Sequence, residues 1–128
     1  EGAQEVGKIL SAHCTLAIAT NGFSKTQRSH ITNTALNQYV SFIVVSDEVG
    51  APKPQKDFFD RALEICGFSD RSRVLMVGDS LSADIKGAQN AGIVSCWYNP
   101  NVNQHPVNSS SADYEIRSLY ELIDIILN

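Results

Sequence analysis

Short, unbroken apolar runs alternate along the chain with stretches of helical spacing. The runs cover residues 16–19, 42–45 and 74–77, and a fourth stretch, 93–97, is interrupted only by Ser95. Unbroken runs of this length predict strands buried on both faces, because a half-buried strand would alternate apolar with polar. Between them, Val6, Ile9 and Leu10 mark one face of a helix over 4–12. Ser24 is an expected N-cap for a helix reaching about Gln38. Phe58, Phe59, Ala62, Leu63 and Cys66 share one face of a helix over 55–66, and Gly67 stops it. A helix over 81–91 ends at Gly92, a short strand is expected at 114–116, and a helix over 118–127 closes the chain. Residues 46–54 are expected as a loop, in which Pro52 and Pro54 keep Lys53 extended. Residues 99–112 are polar, with two prolines and a Ser109–Ser110–Ser111 run, and are expected as a surface loop. No hairpin signal joins the strands and no internal repeat is present. Strand and helix in alternation predict an α/β fold: a Rossmann-like parallel sheet with helices on both faces.

Composition narrows the class. A chain of 128 residues with 43% apolar content fits one domain with a real core. A net charge of −4 without a basic run argues against nucleic-acid partners. No apolar run approaches the ~18–20 residues of a membrane span, and residues 1–5 lack the basic and apolar regions of a signal peptide. The three cysteines are scattered, with no CxxC pair. They read as reduced thiols of a cytoplasmic protein, and a catalytic cysteine is the minor reading.

Polar residues gather just past the strand ends. Thr20, Asn21 and Gly22 follow the first, Lys53 lies several residues past the second, and Asp79 and Asp84 follow the third. In a parallel sheet these ends share one edge, where ligands bind. Singly, each has a plainer reading: a glycine turn, a solvated lysine, or a turn aspartate with another near a helix N-terminus. Together they suit a phosphate held beside a hard cation. Thr20 and the backbone N–H groups of Asn21 and Gly22 can donate to phosphate oxygens, and Lys53 adds a compact positive charge. Thr20 and Lys53 are therefore the candidate catalytic residues. Asp79 can hold a divalent cation through oxygen, and Asp84 can bind a metal-bound water or fix Lys53. His13, His30 and His105 have no metal-ligand spacing. Ser80 lies outside any G-x-S-x-G context, which argues against a serine hydrolase. Trp97 and Tyr98 read as strand-end packing, with base stacking the lesser reading, and Phe23 beside the turn is open to both.

These residues resemble the motifs of the haloacid dehalogenase-like hydrolases, and within them the phosphatases. Thr20-Asn21-Gly22 looks like the second motif, Lys53-Pro54 like the third, and Gly78-Asp79 with Asp84 like the fourth. Residues 49–54, 70–79 and 95–99 are similar to the bacterial pyrimidine 5′-nucleotidases, which remove phosphate from UMP, dUMP and dTMP. The resemblance implies Mg²⁺ as cofactor, held by Asp79 and Asp84, and a small phosphomonoester, a nucleoside monophosphate, as substrate. It also implies an aspartate nucleophile that takes the phosphoryl group, a second aspartate as acid/base, and hydrolysis of the aspartyl-phosphate by water. Carbon–halogen hydrolysis, another branch, needs no metal and fits the two aspartates less well.

One motif is missing. The family's first motif is DxD on a central strand, and no Asp-x-Asp occurs in this sequence. The expectation is therefore a partial core, residues 1–128, without that strand and without the helical cap, inactive by itself. The alternative is a pseudo-phosphatase that keeps the phosphate site and binds partners. Retention of Lys53, Asp79 and Asp84 together favours the enzyme fragment. In the family the missing strand lies between those expected at 16–19 and 74–77. These two strands are expected to pair directly, or to take a strand from another chain, because unpaired edges among apolar side chains are costly. Such edges would also offer a route to self-association.

Overall fold

Among the described residues, five short strands, all in parallel pairs, carry the architecture. The computed structural model describes residues 2–101 and 111–128, so His105 and most of the polar loop expected at 99–112 lie outside the described residues. Helix α1 (Ala3–Ser11) leads into β1 (Ala17–Thr20) and α2 (Ser24–Thr32), then β2 (Phe42–Val45), α3 (Ser46–Val49) and α4 (Lys56–Cys66). There follow β3 (Leu75–Gly78), α5 (Lys86–Ala91), β4 (Val94–Tyr98), β5 (Tyr114–Ile116) and α6 (Glu121–Leu127). β1 pairs with β2, Ala17 opposite Phe42 through Thr20 opposite Val45. β3 pairs with β4, from Leu75 opposite Val94 to Gly78 opposite Trp97, and β4 pairs with β5.

The strands form two sheets, β1–β2 and β3–β4–β5. Direct pairing of β1 with β3, one of the two expected ways of closing the gap, does not occur. What joins the two sheets is their cover of helices. On one face, Val44 of β2 packs with Phe58, Phe59 and Leu63 of α4 and Ala88 and Ala91 of α5, with Ala19, Val74 and Met76 against them. On the other, Val6 and Leu10 of α1 meet Cys96 of β4, Ile116 of β5 and Leu122 of α6, with Leu16, Leu75 and Val77 against them. Alternate residues along β3 thus enter opposite cores, as the pleat requires. The inner strands β1 and β3 contain no fully buried residue, whereas β2 and β4, each farther out in its own sheet, do. A continuous sheet would reverse that order.

Three local expectations give way. The helix expected to reach Gln38 ends at Thr32, and a 3₁₀ turn follows at Ala35–Tyr39. The Thr34 hydroxyl donates to the Ile31 carbonyl (2.7 Å), the competition with helix that makes Thr and Asn helix breakers. Residues 46–49 form a one-turn helix, not loop. The segment after β3 opens with a wide turn at Leu81–Ile85, where the Ile85 N–H reaches back five residues to the Ser80 carbonyl (3.1 Å).

Candidate active site

The candidate residues meet at the carboxyl ends of β1 and β3. Lys53 stands centrally: its Nζ donates to the Ala19 carbonyl of β1 (3.0 Å) and to Asp84 Oδ1 (2.6 Å). One ammonium therefore spans the two sheets. Both side chains of the pair are about nine-tenths buried, at 10% and 9% exposure. The Lys53 backbone lies in a turn, closed by the Gln55 N–H on the Pro52 carbonyl (2.9 Å), and is held from the other side by Asn21. Its Oδ1 accepts from the Lys53 N–H (2.8 Å), and its Nδ2 donates to the Lys53 carbonyl (3.2 Å). The Asn21 side chain thus positions the lysine.

Asp84 sits in the wide turn and also accepts weakly from the Ser80 N–H (3.3 Å). Of its two expected roles, fixing Lys53 is the one its geometry satisfies. Gly78 is what lets it in, since a Cβ at that position would lie 2.1 Å from Asp84 Oδ2. Asp79 differs sharply. It is exposed, and its carboxylate has no hydrogen bond or ion pair with any described residue. A carboxylate with no protein partner at a strand's carboxyl end fits a hard divalent cation, which takes oxygen ligands and keeps much of its water. No cluster of three or more His, Cys, Asp or Glu side chains suited to a metal occurs among the described residues. At these strand ends Asp79 offers one carboxylate that could ligate Mg²⁺, while Asp84 is engaged by Lys53.

Two phosphate donors are differently engaged than expected. The Thr20 hydroxyl donates to Gln27 Oε1 (2.8 Å), so it reaches a phosphate only by turning away. The Gly22 N–H donates to Ser46 Oγ (2.9 Å) and is not free. Gly22 has φ +137°, and a Cβ there would lie 2.8 Å from Gln27 Nε2. Both the backbone angle and the close approach require glycine.

The expected loop at 46–49 grips this turn. Asp47 Oδ2 accepts from the Ser24 N–H (3.0 Å), so the α2 start is capped from another element, and Ser24 is its first residue, not its cap. Glu48 takes two bonds from the Arg28 guanidinium (2.6 and 2.7 Å) and one from the Ser24 hydroxyl. The Arg28 bond first, then Ser24, draws the Glu48 carboxyl down to about 2. Trp97, read as strand-end packing, also donates its Nε1–H to the Asp79 carbonyl (3.1 Å), while the parts of Gln27 and Ser46 are not foreseen from the sequence. Only Ser46, directly after an apolar run, carried a positional signal.

The residue pattern of the haloacid dehalogenase-like hydrolases matches residues 1–98, and the chain belongs to that family. Its relatives include pyrimidine 5′-nucleotidase YjjG of Escherichia coli, 40% identical over 98% of this chain and 55% of the relative. Pyrimidine 5′-nucleotidase PynA of Streptococcus pneumoniae is 37% identical over 87% of this chain and 46% of its own length. The crystal structure of the putative HAD-hydrolase YfnB from Bacillus subtilis, bound to magnesium, matches with a TM-score of 0.90 at 38% identity, over 98% of this chain and 54% of that one. The chain thus spans about half the length of these relatives.

Proposed function

We propose that this chain is the phosphate- and cation-binding part of a Mg²⁺-dependent phosphomonoester hydrolase, which in its whole form acts on nucleoside 5′-monophosphates. The carrying observation is the buried Lys53–Asp84 pair joining the ends of β1 and β3, beside a free Asp79 carboxylate. Lys53 places a fixed positive charge where phosphoryl oxygens would lie, without reorganising as charge develops. Thr20 turns its hydroxyl from Gln27 to the substrate, and Asp79 supplies the anionic ligand for Mg²⁺. When bound, the cation supplies charge neutralisation and orientation of the phosphoryl group. The names of two relatives, both pyrimidine 5′-nucleotidases, support the nucleotide reading.

Nucleophile and acid/base are assigned to no residue of this chain. Asp79 stands free but serves the cation, and Asp84 is tied to Lys53. The break between β1 and β3 is where the family's DxD strand would fit, so residues 1–128 are read as a partial core without turnover of their own. The test is phosphate release from UMP and dUMP with Mg²⁺, alongside UMP binding, for the purified chain and Asp79→Asn. Mg²⁺-dependent UMP binding that Asp79→Asn weakens, without release, supports the reading. Binding indifferent to both Mg²⁺ and Asp79→Asn would overturn the site, and release abolished by Asp79→Asn would overturn the partial-core assignment.

A further inference from the structure

We infer that Trp97 is a positioning residue for the cation ligand Asp79, an inference that rests on the reading of Asp79 above. Trp97 is the single tryptophan of the chain and is 2% exposed. It stands opposite Gly78 in the β3–β4 register, and its indole reaches one residue further to donate to the Asp79 carbonyl (3.1 Å). A buried indole N–H needs an acceptor, and here the acceptor is the backbone of the residue whose carboxylate stands free.

The geometry gives that bond a consequence. The Asp79 carbonyl belongs to the peptide joining Asp79 to Ser80. Holding it sets the plane of that peptide and the direction in which the Asp79 side chain leaves the strand. The same peptide leads into the wide turn, where the Ser80 carbonyl accepts from the Asp84 and Ile85 N–H groups (2.9 and 3.1 Å). One anchor therefore fixes Asp79 relative to Asp84 and, through it, Lys53. The anchor is stiff, because β4 is paired on both sides, to β3 and β5. The carboxylate itself has no hydrogen bond or ion pair with any described residue, so its aim depends on its backbone. Outer groups that orient metal ligands are commonly worth about 10–100-fold in metal affinity.

The test uses Mn²⁺ in place of Mg²⁺, with free Mn²⁺ read by electron paramagnetic resonance, on the full 128-residue chain. Three forms are compared with the unaltered chain: Asp79→Asn, Trp97→Phe, and the chain carrying at position 97 the tryptophan isostere with sulfur in place of the indole N–H. The isostere keeps the ring and removes only the donor, so it remains informative where Trp97→Phe fails to fold. The expected result is an affinity about 10–100-fold weaker for the isostere, a melting temperature close to the unaltered chain, and binding lost in Asp79→Asn. Loss in Asp79→Asn with full affinity in the isostere would overturn the role of Trp97 while leaving Asp79 as ligand. Unchanged affinity in Asp79→Asn would overturn the cation reading itself. A fall in melting temperature for the isostere, without a fall in affinity, would make Trp97 a packing residue only.

Discussion

Gly78 has no room for a side chain, because the carboxylate that neutralises Lys53 occupies the space a Cβ would need. Gly78→Ala is therefore expected to push Asp84 off Lys53 and cost about 1–3 kcal/mol, as overpacking commonly does, measured by urea unfolding. Lys53→Met leaves Asp84 as a buried charge without its partner and is expected to cost about 3–5 kcal/mol. Adding Asp84→Asn to Lys53→Met should recover part of that loss, and a double-mutant cycle measures the coupling. Glu48 gives a pH signature. Its folded value, about 2, lies below the ordinary 4.5. The carboxyl therefore stabilises the fold fully above its ordinary value, and that contribution is lost as pH falls from about 4.5 toward 2. Thermal melts across this window should fall more steeply for the unaltered chain than for Glu48→Gln, and equal slopes would show that the Arg28–Glu48 pair is not formed in solution. Burial, with Glu121 adding to it, pushes the Cys96 thiol up to about 11, in keeping with a buried core role.

At the scale of elements, the candidate phosphate turn is held by its neighbours more than by its own residues. Helix α2 carries no cap of its own, and Asp47 of α3 accepts from its first N–H. Asp47→Ala is accordingly expected to behave as the loss of an N-cap, at about 1 kcal/mol, and amide exchange should rise first in the opening turn of α2. Exchange that rises evenly over the chain would count against this. Helix α4 is the opposite case, legible from its periodicity because its face is a core face. Phe58 and Phe59 meet edge to face at 5.3 Å between ring centres, and a Cβ on Gly87 of α5 would lie 2.3 Å from the Phe59 ring. Phe59→Ala should cost about 3–5 kcal/mol by chemical denaturation. Helix α2 ends earlier than its sequence predicts because a polar segment leaves its end to side-chain competition at Thr32–Thr34, which periodicity does not register. The short α3 leaves no mark in the sequence pattern because one turn offers too few positions to show a period.

For the whole molecule, the sheet is divided between β1 and β3, and Lys53 is the side chain that spans the divide. We expect the purified chain to bind UMP only with Mg²⁺ and to release no phosphate. On the partial-core proposal, turnover should require an added extended segment that supplies a nucleophile and pairs with β1 and β3. The parallel α/β class, the covering helices and the shared edge carrying Thr20, Asn21, Lys53, Asp79 and Asp84 were all determined by the sequence alone. Short apolar runs bounded by turn residues point to strands covered on both faces, and the carboxyl ends of parallel strands share an edge. Only the tertiary structure decided how those residues divide the work. Asp84 turned to Lys53 while Asp79 stayed free, Asn21 took the lysine backbone, and Gln27 took the Thr20 hydroxyl. Spacing along a chain says which residues arrive at an edge. Which donor meets which acceptor there depends on distances of a few ångströms between segments far apart in sequence, and packing sets those.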